Sequence, residues 1–225
     1  MNITTRKIPI GPDAEVSSVW AVPDDYRPGR DDALILAHGA GNDMHSPFLN
    51  HVHERLADRG VLTVKFNFPY KERGGKAPDR TPVLEATWRA VAAAVRADAL
   101  APARLFLGGK SMGGRMATHL AAAGEACAGL VLLGYPLHPA RKPERLRDEH
   151  LPRIACPMLF IEGTRDPLCD LDLLRGILKT LRAPVQLHVI DGGDHSFKPR
   201  KRMGRAEPEV WDEIVTVTAE WMSRV

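Results

Sequence analysis

The chain has 225 residues, of which 44% are hydrophobic and 26% charged, and its formal net charge is +3. These values are typical of one globular domain, which we expect to span residues 1–225, and so small a net charge disfavours nucleic acid as a partner. No apolar run approaches the ~18 residues of a membrane span and the first residues lack the apolar core of a secretion signal, so we expect no membrane partner.

The three cysteines, Cys127, Cys156 and Cys169, form an odd and scattered set without metal-ligand spacing. Such a set predicts free thiols in a reducing compartment. We therefore expect the protein to be cytoplasmic.

Short apolar runs alternate with segments of helical period along the chain. The runs that predict strands lie at residues 19–22, 33–37, 61–68, 105–107, 130–133, 158–161 and 185–190. Helices are predicted from Pro47 to Gly60, over 82–97, over 116–123, over 171–181 and from about Pro208. Several strand runs are apolar without alternation, as parallel strands covered on both faces are, while 185–190 alternates like a strand nearer an edge. The pattern predicts an α/β fold with a doubly wound, mostly parallel sheet.

The segment Gly109-x-Ser111-x-Gly113 stands between a predicted strand and a predicted helix. This is the pattern of a nucleophile elbow, in which a serine on a strained turn is exposed at the helix N-terminus. The overlapping Gly-Lys-Ser also ends a phosphate-binding loop, but that motif requires glycine where Arg104 stands. We interpret Ser111 as a nucleophile.

Three more loops follow predicted strands, where ligand chemistry gathers in such sheets. The loop 38–44 is glycine-rich, and we assign an oxyanion donor there to the N–H of Ala40, with Gly41 as its competitor and Met112 as its partner. Asp166 is positioned to orient a histidine, since nearby Asp170 looks like a helix N-cap. His195 follows the last strand as general base. Ser111, Asp166 and His195 stand in the chain order of α/β-hydrolase triads.

In these motifs the chain resembles the small α/β-hydrolase-fold proteins of the dienelactone-hydrolase-like group. More narrowly, it is similar to the bacterial relatives of the hydrolase-like domain in a vertebrate histone-acetyltransferase complex subunit. The matching stretches are 38–41, 66–70, 109–115, 134–139, 162–167 and 193–197. The resemblance implies an α/β-hydrolase fold and a serine triad, with Gly41, Tyr70, Lys110 and Arg115 as substrate contacts. The serine departs from dienelactone hydrolases proper, whose nucleophile is cysteine.

The segment 135–156 occupies the place where larger members of the fold insert a cap domain. It allows one short helix but no lid, so we expect a minimal fold without a cap. The neighbouring histidines His45, His51 and His53 lack a metal-binding motif, and we expect neither a metal nor a cofactor.

The stretch 198–205 contains five basic residues directly after His195. It is interpreted as an exposed loop or as a site for acidic groups of a substrate. A third interpretation is a nucleic-acid-binding segment.

The sequence thus predicts a serine hydrolase that cleaves a small or medium carboxylic ester or thioester through an acyl-enzyme. The alternative is a non-catalytic interaction module that keeps the α/β-hydrolase fold. The acyl and alcohol groups, the oligomeric state and the pathway stay open.

Overall fold

The computed structural model describes all residues from Met1 to Val225. Eight strands form one sheet: β1 (Asn2–Gly11), β2 (Ala14–Val22), β3 (Asp32–Ala37), β4 (Leu62–Phe66), β5 (Arg104–Lys110), β6 (Gly129–Leu133), β7 (Met158–Gly163) and β8 (Val185–Ile190). Six helices accompany them: α1 (Pro47–Ala57), α2 (Pro69–Glu72), α3 (Thr81–Ala97), α4 (Met112–Ala122), α5 (Leu171–Leu178) and α6 (Glu207–Arg224). None of the helices combines the length and apolar composition needed to cross a membrane.

The strand order across the sheet is β1-β2-β4-β3-β5-β6-β7-β8. Strands β3 to β8 pair in parallel, while β2 pairs antiparallel with both β1 and β4. The predicted doubly wound, mostly parallel sheet is confirmed, and β8 lies at the edge where its alternation placed it.

Apolar side chains of the central strands point alternately to two hydrophobic layers. In β3, Ile35 packs into the layer that contains Trp88 of α3 and Met116 of α4. Its neighbour Leu36 packs into the opposite layer, together with Leu49 of α1. Strands covered on both faces need apolar residues at successive positions, which explains the unbroken apolar runs of the sequence.

The N-terminal hairpin was not predicted beyond residues 19–22. Along β1 only Ile8 is buried, so the strand shows no hydrophobic periodicity, and it is held chiefly by its backbone pairing with β2. The short helix α2 was also absent from the predicted helices. Four residues contain too little pattern to predict a helix.

Candidate active site

Ser111 occupies the turn between β5 and α4 with a backbone φ of 51° and ψ of −115°. A positive φ is strained for any residue with a side chain and persists only where the surroundings impose it. The flanking glycines show what imposes it here. A Cβ at Gly109 would lie 2.3 Å from the carbonyl oxygen of Ala37, and one at Gly113 would lie 2.4 Å from the same atom. The turn therefore packs directly on the end of β3.

Two hydrogen bonds in series link Ser111 to His195 and His195 to Asp166, which follow other strands. The Ser111 Oγ lies 2.9 Å from Nε2 of His195, and Nδ1 of His195 lies 2.6 Å from Oδ2 of Asp166. A carboxylate can only accept hydrogen bonds, so Nδ1 of His195 holds the proton. Its Nε2 is therefore free to accept the proton of Ser111. The Asp166 side chain has no exposed surface, and its Oδ1 accepts the N–H of Leu168 at 2.8 Å.

The neighbouring Asp170 does not compete for the histidine. Its carboxylate accepts the N–H groups of Asp172 and Leu173, which makes it the N-cap of α5 as predicted.

The predicted oxyanion loop, residues 38–41, follows β3 beside the elbow. The N–H of Ala40 makes no hydrogen bond within the protein, and Ala40 is exposed. Met112 begins α4, and the first N–H groups of a helix have no intrahelical partner. The N–H of Gly41 makes no backbone hydrogen bond either, and the Tyr70 hydroxyl has no hydrogen-bond partner, so the structure leaves both N–H groups free.

His38 holds the predicted oxyanion loop from inside the protein, which the sequence alone did not indicate. Its Nε2 accepts the N–H of Phe68 at 3.2 Å, so its Nδ1 is the protonated nitrogen and donates to the carbonyl of Gly39 at 2.9 Å. Burial lowers the pKa of His38 to about 4, which keeps the ring neutral. The Gly39 carbonyl and the Ala40 N–H belong to one planar trans peptide, so fixing the first fixes the second.

Lys110 precedes Ser111, and its ammonium group is buried without a hydrogen-bond partner. The Nζ lies 5.2 Å from the centre of the Phe197 ring, and a Cβ at Gly134 would lie only 2.6 Å from it. Burial lowers the pKa of Lys110 to about 8, while the carboxylates of Asp166 and Glu162 oppose that shift. Its Nζ is therefore turned away from solvent, and the contact with substrate stays a prediction.

Glu162 is a second buried ionisable group at the site, again without a role assigned from the sequence. It is 0% exposed at the end of β7, and its Oε1 accepts the N–H of Tyr135 at 2.5 Å. Burial, together with the nearby Asp166 carboxylate, raises its pKa well above the ordinary range. An acidic residue at the end of an apolar strand was the available sequence signal.

The other predicted substrate contacts differ in their exposure. Tyr70 is 2% exposed and its hydroxyl is buried, so the structure favours support of the oxyanion loop over direct contact with substrate. Arg115 lies one helical turn after Ser111 and is partly exposed, with no carboxylate within 4.0 Å. Burial, and then the facing Arg147 guanidinium, lowers its pKa. Arg115 is therefore an unpaired cation next to the elbow.

A cavity of about 240 Å³ lies beside the site, lined by neighbours of Ser111 and His195 but not by these two residues themselves. Asn42 follows the oxyanion loop, Lys110 belongs to the elbow and Ser196 follows His195, and all three line this cavity. Phe48 and Trp211 form its aromatic wall, with ring centres 5.8 Å apart.

The basic stretch 198–205 is partly neutralised by the protein itself. Lys198 pairs with Glu207 at 3.2 Å and Arg205 pairs with Glu213 at 2.5 Å. Arg200, Lys201 and Arg202 are exposed and have no ion-pair partner.

The three histidines 45, 51 and 53 do not converge. His51 contacts Asp212 of α6 at 2.9 Å, while His53 is 0% exposed and makes no side-chain hydrogen bond.

A parallel sheet with a serine elbow, an acid and a histidine at the carboxyl ends of its strands defines the α/β-hydrolase class. The model of the family described as alpha/beta hydrolase domain matches residues 30–223, and the chain belongs to this family.

Solved structures of small hydrolases show the same fold. A dienelactone hydrolase from Anabaena variabilis superposes with a TM-score of 0.76 at 19% identity, covering 99% of this chain and 97% of that one. A serine hydrolase without a lid from Xanthomonas campestris gives a TM-score of 0.72 at 21% identity, covering 97% and 94%. Est1E from Butyrivibrio proteoclasticus, solved with ferulic acid bound, gives 0.76 at 16% identity, covering 97% and 100%. The chain is thus a small, dienelactone-hydrolase-like member of the class, while the narrower resemblance to the histone-acetyltransferase subunit stays a prediction.

Proposed function

We propose that the protein is a serine hydrolase of carboxylesterase type, which cleaves a small or medium carboxylic ester or thioester. The observation that supports this most directly is the unbroken chain of hydrogen bonds from Ser111 through His195 to Asp166. It starts at a serine whose backbone is held in a strained conformation, as expected where a fold keeps a residue for chemistry.

The proposed reaction follows from which atoms can take and give a proton. Nε2 of His195 removes the proton of Ser111 as Oγ attacks the substrate carbonyl, and the buried Asp166 carboxylate stabilises the imidazolium that forms. The N–H groups of Ala40 and Met112 donate to the developing oxyanion. The leaving group takes the proton from His195, and a water molecule activated by the same nitrogen then releases the acid from the acyl-enzyme.

The size of the proposed substrate follows from the cavity and from the connection above the site. About 240 Å³ corresponds to roughly eight water-sized groups at ~30 Å³ each. Between the end of β6 at Leu133 and the start of β7 at Met158, the only regular element is a 3-10 turn, Leu151–Arg153. We infer a short acyl group bound beside Phe48 and Trp211, at a site without a lid.

The setting of this activity is part of the proposal. We treat residues 1–225 as one domain, because all eight strands form one sheet. We place it in the cytoplasm, because its cysteines are free thiols. No cofactor takes part in the proposed steps.

Labelling with a fluorophosphonate probe separates a hydrolase from a non-catalytic interaction module, because the probe reacts only with an activated serine. We expect one probe per chain, attached to Ser111, and no labelling of Ser111→Ala. Ser223→Ala is the matched control, since Ser223 lies on α6 and its hydroxyl contacts only the Glu220 carbonyl. A folded wild-type protein that takes up no probe would favour the interaction module.

A further inference from the structure

Two cysteines that are distant in sequence lie side by side at the amino ends of the parallel strands, whereas Ser111 follows the carboxyl end of β5. Cys127 and Cys156 precede the amino ends of the neighbouring parallel strands β6 and β7, and their Sγ atoms are 3.3 Å apart. Both are free and partly exposed. The third thiol, Cys169, is 3% exposed. The structure therefore corrects the description of the three cysteines as a scattered set.

The contact between the two sulfur atoms favours one thiolate in the pair. Either Sγ can donate the hydrogen bond to the other, so loss of one proton leaves a thiolate that accepts the S–H of its neighbour. A surface cavity of about 500 Å³ reaches Cys127, and Cys156 is also partly exposed, so a small oxidant has access to the pair.

We propose that Cys127 and Cys156 form a site of oxidation by peroxide, at which an intrachain disulfide is made. The thiolate of one cysteine attacks a peroxide oxygen and breaks the O–O bond, which gives a sulfenic acid and a hydroxide that takes up the proton lost by that thiol. The sulfur of the other cysteine then attacks the sulfenic sulfur and displaces hydroxide, which takes up the proton of the second thiol. The thiols lose two electrons and hydrogen peroxide is reduced to two water molecules.

Disulfide formation requires the two sulfur atoms to come closer. A disulfide has an S–S distance of about 2.05 Å, so the sulfur atoms must approach by roughly 1.2 Å. The bond would close the segment from 127 to 156, which contains β6, and this closure restricts the unfolded chain. We expect the oxidised protein to melt several degrees higher than the reduced protein. The triad, at the carboxyl ends of the strands, should be unchanged.

The experiment treats reduced protein with a few equivalents of hydrogen peroxide and measures intact mass, free thiols and melting temperature. We expect the mass to fall by about 2 Da and the free thiols to fall from three to one, with a peptide map joining residues 127 and 156. Cys169→Ser is the matched control and should lose the same mass and keep no free thiol. Cys127→Ser should instead accumulate a sulfenic acid at Cys156 that dimedone traps.

The proposal is overturned if wild-type protein gains oxygen or forms only intermolecular dimers, or if Cys127→Ser still loses 2 Da. Cys127→Ala replaces the serine variant if that variant does not fold. Fluorophosphonate labelling of the oxidised protein reports the hydrolase site separately, so failure of one proposal does not affect the other.

Discussion

At the scale of single residues, the hydrogen-bond chain at the elbow joins positions that are 84 and 29 residues apart in sequence. Because the three residues act as a unit, we expect Ser111→Ala and His195→Ala each to lower kcat on the order of 10³-fold or more. Asp166→Asn should cost less, through loss of the tautomer that leaves Nε2 free. Ester turnover with circular dichroism as a folding check measures these effects.

The outcome that contradicts the assignment is specific. If Ser111→Ala kept wild-type kcat on every ester that the wild type hydrolyses, the nucleophile would be another residue.

At Lys110, the expected contribution to the reaction opposes the stability of the folded state. A buried cation without a partner destabilises the folded state, yet this ammonium faces the buried carboxylate of Asp166. The ammonium charge attracts the Asp166 carboxylate electrostatically, next to the buried Glu162. We interpret the lysine as a residue kept for electrostatics at a cost in stability.

The change Lys110→Met should stabilise the protein and slow the reaction. The folded-state pKa of about 8 lies below the roughly 10.4 of an exposed lysine, so at pH 6 the variant should gain on the order of 3 kcal/mol. The wild type regains this stability between about pH 8 and 10.4, where only the unfolded chain binds the proton, so the difference should shrink there. We expect kcat/KM to fall about 10-fold.

Denaturant unfolding at pH 6 and pH 10 measures the first effect, with the exposed Lys179→Met as the matched control. A Lys110→Met variant less stable than wild type at pH 6 would show that the buried ammonium has a stabilising partner.

At the scale of elements, the oxyanion loop depends on a contact between the end of β3 and the start of α2. His38 links the two through Gly39 and Phe68. His38→Phe keeps the ring shape but removes both hydrogen bonds, so the Ala40 N–H loses its fixed direction. We expect kcat to fall at least about 10-fold with little change in KM, since the donor acts on the oxyanion and not on the ground state.

His38→Asn serves as the rescue variant, because its amide can still donate to Gly39 and should recover part of the rate. Since burial holds the pKa of His38 near 4, the loss in His38→Phe should be constant from pH 6 to 8. A wild-type kcat in His38→Phe would remove the loop contact from the mechanism.

The cavity beside the elbow is the basis for the ester chain lengths that we expect the proposed site to accept. Phe48 and Trp211 line this cavity, and the connection between β6 and β7 contains no α-helix. We expect kcat/KM to be highest for acyl chains of roughly two to six carbons and to fall beyond about eight, from the cavity volume. Trp211→Ala enlarges the cavity and should move the optimum to longer chains.

A panel of p-nitrophenyl esters measures this preference, and an emulsified triglyceride tests for a lid. A sharp rise in rate above the solubility limit of the substrate would contradict an open site.

At the scale of the whole molecule, the net charge is small and the exposed basic residues are concentrated locally. Arg200, Lys201 and Arg202 are unpaired within eight residues of His195. If they attract acidic substrates, esters with a carboxylate should show higher kcat/KM than neutral isosteres. The preference should shrink from about 0.05 to 0.5 M salt, because the Debye length falls from roughly 14 to 4 Å.

Replacing these three residues with glutamine should abolish the preference and leave turnover of the neutral ester unchanged. The paired Lys198 and Arg205 stay in place as an internal control. Equal kcat/KM for both substrates in the wild type at low salt would identify the stretch as a solvated loop.

The sequence by itself determined the class of fold and the three residues of the proposed triad. Apolar runs without alternation predict buried parallel strands, and the glycine spacing around Ser111 predicts a tight turn. These signals are local, because they depend on covering both faces of a strand and on the backbone conformation of one turn.

Only the tertiary structure decided which residues lie next to the triad and which residues meet at the amino ends of the strands. The edge strand β1 buries one residue, so its sequence has no periodic signal. The burial of Lys110 depends on the absence of a side chain at Gly134, which is 24 residues away in sequence. Cys127 and Cys156 meet because each lies just before the amino end of one of two paired strands, β6 and β7. Such contacts depend on how strands align across the sheet, and no local pattern of residue types encodes that alignment.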